Sequence, residues 1–254
     1  MSSAEPEFKI HVNANPAEIE QRQQLVRLLK SCPIPDRELL SNLSLFLTRQ
    51  NLSQLLFLRE MYERILPVHG VIFEFGVRWG RNLCAYEALR GIYEPFNHNR
   101  KIVGFDTFRG FPSVSAQDGA GAVIEPGAYD VGEDYEKYLA QVLDIHEQES
   151  PIAHIRKYEL VKGDASVTIS DYLKARPETI IALAYFDFDV YEPTKACLEA
   201  IRPHLTKGSV IGFDEINNAT FPGETLALKE VLGLDAYRIR HSPFSPTQSY
   251  LIIE

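Results

Sequence analysis

Val71-Ile-Phe-Glu-Phe-Gly-Val-Arg-Trp-Gly-Arg-Asn82 is the stretch on which the reading of the fold turns. Apart from Glu74, its first five residues are β-branched or aromatic, the composition of a strand buried on both faces of a parallel sheet. Gly76 and Gly80 then bracket a tight turn, and Leu83, Tyr86, Leu89 and Ile92 recur at helical spacing. A strand, a glycine turn and a helix N-terminus expose backbone N–H groups to a ligand. A glutamate at the strand end points to a ligand carrying hydroxyl or ammonium groups rather than one rich in phosphate. Gly-x-x-x-Gly alone describes any strand-to-helix turn, so the weight falls on the remainder of the chain.

Outward from this stretch, 254 residues suffice for one α/β domain with a helical addition. The net charge is −9, and no Lys/Arg run makes a basic stripe, which argues against nucleic acid or an anionic membrane as partner. No run approaches the ~20 apolar residues of a membrane span, and the first residues lack a signal-peptide core. The expected location is therefore cytoplasmic. Cys32, Cys84 and Cys197 are too far apart for a Cys-x-x-Cys motif and read as free thiols.

Residues 1–16 are expected to be a disordered tail and 17–69 an N-terminal helical cap. From residue 70 to 254, strands and helices alternate in the pattern of a parallel sheet covered on both faces. Strands are predicted at 71–75, 101–105, 158–162, 180–186 and 209–213. Two β-rich runs at 237–241 and 249–254 close the chain as an antiparallel pair, an ending unusual for nicotinamide-binding sheets. Between the second strand and the next helix, 110–132 is a long Gly- and Pro-containing segment that reads as a lid.

Chemistry collects at the strand ends, where open α/β sheets bind ligands. Each predicted parallel strand ends in a carboxylate: Glu74, Asp106, Asp164, Asp187 with Asp189, and Asp214 with Glu215. On one rim these repel unless cations or hydroxyls offset them. Asp106 stands where dinucleotide-type folds hold ribose hydroxyls, and Asp164 is placed to accept from a purine amine. With Glu74 they outline a nucleoside pocket carrying an amino acid, which S-adenosylmethionine fits. Asp187, Asp214 and Glu215 make an oxygen-only set suited to Mg²⁺. Asp189 is then a candidate general base on a substrate hydroxyl.

Four segments, Glu74–Gly80, Gly104–Pro112, Phe186–Thr194 and Val210–Glu215, together resemble the macrocin O-methyltransferase family over residues 55–254. That resemblance implies a Rossmann-like class I methyltransferase sheet of seven strands, the last antiparallel. It also implies dependence on S-adenosylmethionine and Mg²⁺, a sugar or glycoside acceptor, and a homodimer. By position it places the cofactor on Glu74, Gly76, Val77, Gly80 and Asn82, and on Asp106, Thr107, Asp164, Ala165 and Asp187. The metal falls to Asp187, Asp214 and Glu215, and catalysis to Asp187 and Asp189. At Glu215 the chain departs from the family, which more often has Asp. The rival readings are a nicotinamide-dependent oxidoreductase, disfavoured by the missing third glycine, and a non-catalytic binder of cofactor or glycan.

Overall fold

Asn15 accepts from the Glu18 backbone N–H while the Glu18 carboxylate accepts from that of Asn15, a capping box that starts α1 (Pro16–Lys30). The computed structural model describes residues 14–121 and 123–254, so most of the expected tail lies outside the described residues. After α1 come a short α2 (Asp36–Leu39) and a 3₁₀ segment (Leu40–Phe46). None of these three buries a residue, and Leu28, Leu40, Leu43 and Leu45 stand exposed on them. α3 (Arg49–Ile65), capped by Thr48, behaves differently: Phe57, Leu58, Met61, Tyr62 and Ile65 are fully buried. Within residues 17–69, α3 is thus the helix that packs as a layer of the core.

Val71–Phe75 forms β1 and Arg81–Tyr93 forms α4, as the opening stretch requires. There follow β2 (Ile102–Asp106), α5 (Tyr135–Glu149), β3 (Tyr158–Lys162), α6 (Ala165–Ala175) and β4 (Ile181–Phe186). α7 (Tyr191–Ile201), β5 (Leu205–Phe213), α8 (Gly223–Val231), β6 (Arg240–His241) and β7 (Ser249–Ile252) complete the chain. The seven strands lie in the order β3-β2-β1-β4-β5-β7-β6. β1 to β5 are parallel, while β7 runs antiparallel to β5 and β6 antiparallel to β7, as expected from the sequence.

Each face of this sheet carries its own apolar cluster. α3, α4 and α5 cover one with Met61, Tyr62, Tyr86 and Leu143; α6, α7 and α8 cover the other with Ile169, Leu198 and Leu228. A row of rings crosses four strands on that second face: Phe105–Phe75 at 5.1 Å, Phe75–Phe186 at 4.7 Å and Phe186–Phe213 at 5.4 Å. Ring pairs of this kind add about 0.5–1.5 kcal/mol each beyond their burial. They lock the carboxyl ends of β2, β1, β4 and β5 side by side. Arg100 fixes the entry to β1: its guanidinium donates to the carbonyls of Ile65, Val68 and Gly70 and pairs with Glu94. Among the described residues, no helix is long and apolar enough to cross a membrane.

Beneath the other face lies a buried charge group. Arg90 pairs with Glu147 and donates to the Lys157 carbonyl at 2.9 Å, while the Lys157 ammonium stands 3.1 Å from Glu147. Glu87 is left with neither carboxyl oxygen hydrogen-bonded. Burial, partly offset by Arg90, pushes its carboxyl up to about 8. Between pH 4.5 and about 8 the folded chain therefore keeps a proton that the unfolded chain has released. Stability falls as pH rises through that window, by at most roughly 1.4 kcal/mol per unit. Glu87→Gln should flatten the fall, so that melting temperatures of the two proteins diverge towards pH 8, with the variant higher. Parallel melting curves across the window would contradict the assignment.

Candidate active site

The carboxyl ends of β1 to β5 frame a cavity of about 250 Å³. The β1–α4 turn supplies Gly76, Val77, Arg78, Trp79, Arg81 and Asn82, and the β2 end supplies Asp106 and Thr107. Asp164 and Ala165 come from the β3 end, Asp187 and Asp189 from the β4 end, and Asp214 and Glu215 from the β5 end. Gly110, Phe111, Pro112 and Tyr129 of the long loop close one side. Every strand-end site residue named from the sequence lines this space except Glu74 and Gly80.

Glu74 is wholly buried within β1, between Gly104 and Tyr185 of the neighbouring strands. Neither of its oxygens is hydrogen-bonded, and burial holds its proton affinity well above the carboxylate range. It lies behind the cavity wall rather than in it. Gly80 begins α4 at φ +79°, its missing side chain filled by Leu139. Gly76 has a sharper reason to be glycine: φ is +90°, and a methyl group there would sit 2.0 Å from the Asp187 carbonyl oxygen. The turn and the β4 end touch backbone to backbone.

Asp106 works first on its own chain. Its two oxygens accept from the Arg78 N–H at 2.7 Å and the Phe108 N–H at 2.6 Å. Both donors sit at positive φ, +48° and +55°, so this one carboxylate holds two strained residues in place. Lone pairs remain on it for a ligand. Thr107 similarly donates to the Gly110 carbonyl and accepts from the Arg109 N–H. Asp164 caps α6 through the Ser166 N–H and hydroxyl. The two candidate cofactor carboxylates therefore shape loops as well as face the cavity.

Crowding governs the other side. Burial, then the charges of Asp214 and Asp189, raise the Asp187 carboxyl well above its usual range. Asp189, at φ +63°, is raised by burial, then by Glu215 and Asp214. Glu215 is pushed up to about 7 by burial and Asp214, and accepts from the Asn218 amide at 3.0 Å. Tyr185 donates to Asp214 Oδ1 at 2.6 Å. Among the described residues, no three His, Cys, Asp or Glu side chains are grouped to hold a metal ion. Asp187, Asp214 and Glu215 share one cavity without forming such a cluster.

Four participants lie outside the residues the sequence singles out as site candidates. Glu224, in the first turn of α8, accepts from the Phe188 N–H at 3.1 Å and the Glu215 N–H at 3.3 Å, bracing both acidic tips. Buried Asp118 accepts from the Tyr191 N–H and from Ser115, which ties the long loop to the start of α7. With Phe111 and Ala128 packed on Val190, that loop is anchored at its base. Tyr185 and Gln248 are the other two.

Arg78 brings a cation to the cavity wall: its guanidinium lies 4.9 Å from the centre of the Tyr129 ring. Tyr158 and Lys162, and Tyr191 and Lys195, have the Tyr-x-x-x-Lys spacing of some nicotinamide enzymes. Neither pair lines the cavity. The Tyr158 hydroxyl is taken by Asp144 and that of Tyr191 by Glu230.

The crystal structure of CalS11, a calicheamicin methyltransferase, superposes with a TM-score of 0.92 at 47% identity over 99% of both chains. The apo structure of CalS11, described as a TDP-rhamnose 3′-O-methyltransferase of calicheamicin biosynthesis, gives 0.84 at 47% identity over 95% of this chain and 96% of that one. The O-methyltransferase NovP, at 17% identity, TM-score 0.60 and 79% of each chain, shares the fold. No family model matches the chain, and no curated protein does.

Proposed function

Because the chain belongs to the same family of O-methyltransferases as CalS11, we propose that it moves the methyl group of S-adenosylmethionine onto a sugar hydroxyl. The observation that carries this reading is one cavity walled by Asp106 and Asp164 on one side and Asp187, Asp189 and Asp214 on the other. The description of CalS11 supports a nucleotide-linked deoxysugar as the acceptor class. The four sequence motifs support the macrocin-type branch of the family.

Asp106 and Asp164 would take the ribose hydroxyls and the adenine amine through lone pairs their loops leave open. Asp187 or Asp189 would take the proton of the acceptor hydroxyl as the C–O bond forms and the C–S bond breaks. A carboxyl raised towards neutrality is a better base for this than an ordinary one. Much of the rate would come from holding hydroxyl and sulfonium in line. Magnesium belongs to the same proposal. Its usual demand is one or two carboxylates plus waters and substrate oxygens, which the oxygen-only pair Asp187 and Asp214 meets, with Glu215 in support. Bound there, the ion would lower the pKa of the acceptor hydroxyl. The leucines exposed on α1 and the 3₁₀ segment support a homodimer.

The test is mass spectrometry of nucleotide-linked sugars and finished glycosides after incubation with labelled S-adenosylmethionine, with Mg²⁺ and with EDTA. Label on a sugar oxygen, abolished by EDTA, with light scattering at twice the chain mass, is the expected result. Binding of NADH in place of S-adenosylmethionine would overturn it. Label that survives EDTA would remove the metal alone, and a single-chain mass the dimer alone.

A further inference from the structure

Behind Asp214 runs a chain of buried amides and a phenol drawn from distant parts of the sequence. The Tyr185 hydroxyl donates to Asp214 Oδ1 at 2.6 Å, and the Gln248 amide donates to the same oxygen at 2.8 Å. Gln248 also reaches the Tyr185 oxygen at 3.3 Å and the Gln54 side-chain oxygen. Gln54 in turn donates to Tyr185 at 3.4 Å and to Asn82 Oδ1 at 3.3 Å, where Arg81 Nε also arrives at 3.3 Å. The links start on α3, β4 and the residue before β7, and Gln54, Asn82, Tyr185 and Gln248 are all buried. Gly212 makes room for this, because a methyl group on it would meet the Tyr185 ring at 2.9 Å.

We propose that Tyr185 and Gln248 are positioning residues for methyl transfer, fixing the rotation of the Asp214 carboxylate, while Gln54 ties that hold to Asn82 on the cofactor wall. Both donors fall on Oδ1, which leaves Oδ2 as the oxygen offered to a ligand. Packing alone would not select a phenol and two amides here. A buried hydroxyl or amide costs free energy unless it is partnered, and phenylalanine or leucine would fill the same space without that demand. What the polar groups add is direction at one end of the cavity, with a continuous connection to the other.

This role rests on the methyl-transfer reading, and the test separates the two. Tyr185→Phe and Gln248→Leu are made singly and together, with steady-state kinetics, calorimetric binding of S-adenosylhomocysteine, and thermal melting on each. Outer hydrogen-bond partners of this kind are worth about 10–100-fold in activity. Each single variant should lose about that much kcat, keep its KM and calorimetric affinity for the cofactor within about twofold, and melt close to the parent. The double variant should lose less than the product of the single losses, since both groups act on one oxygen. Unchanged kcat, losses that follow the folded fraction, or fully multiplicative losses would overturn the positioning role. An unmutated protein that methylates no sugar would overturn the reading beneath it, and the role with it.

Discussion

Asp187→Asn should lower kcat for methyl transfer by about 10²–10⁴-fold while the melting temperature holds or rises. The side chain keeps its shape, and the Asp187 N–H remains bonded to the Phe75 carbonyl at 2.8 Å, so the strand tip stays in place. What disappears is a proton acceptor and one member of a group whose charges oppose each other. Relief of that repulsion works towards stability, whereas loss of the base works against turnover. The pH–rate profile carries a second signature. A base must be deprotonated to act, and burial with Asp214 and Asp189 raises this one. The acid limb should therefore lie above the ordinary carboxylate range and vanish in the variant. Affinity for S-adenosylhomocysteine should change only a few-fold. A kcat within tenfold of the parent would pass the role to Asp189; a matching fall in melting temperature would make Asp187 structural.

Gly76→Ala should destabilise the fold more than any other single change named here. Here two costs coincide: a left-handed φ of +90°, and a methyl group 2.0 Å from the Asp187 carbonyl oxygen and 2.7 Å from its carbon. Backbone cannot swing aside as a side chain can, and Phe75 packs on Phe186 and Phe188, the rings just before and just after Asp187. About 4 kcal/mol or more is expected, the range of the most damaging single changes. For a chain of this size that lowers the melting temperature by roughly 8–16 °C. Gly127→Ala is the internal comparison, since φ is +82° there but nothing lies within 4 Å of the added carbon. It should cost about 1–2 kcal/mol, the strain alone. Equal melting points for the two variants would show that the backbone approach is looser than the distances imply.

The sheet and its acidic rim were legible because period and punctuation are local: alternation of strand and helix, glycine at turns, carboxylates at strand ends. Asp106, Asp164, Asp187, Asp189, Asp214 and Glu215 duly reach one cavity. Glu74 does not, since residue spacing says where a side chain sits along a strand but not whether its neighbours will bury it there. Asp106 and Asp164 also show that a strand-end carboxylate serves backbone N–H groups and a cavity at once. Asp118, Tyr185 and Gln248 carried no signal, because each acts across 29 or more positions of sequence through a bond that only the folded chain creates. Which helix of residues 17–69 joins the core was not legible for a related reason. α1 and α3 look alike as amphipathic segments, and only contact with the sheet separates a core layer from a surface one.

The supports of Asp214 come from residues 54, 185 and 248, nearly the whole span of the polypeptide. No fragment cut anywhere between them keeps all three, and a half-made chain owns the acids without the groups that aim them. Partial folding, proteolytic nicking or the exchange of an arm between molecules should therefore yield a silent protein rather than a careless one, which for a catalyst handling a reactive sulfonium is a safeguard written into chain connectivity.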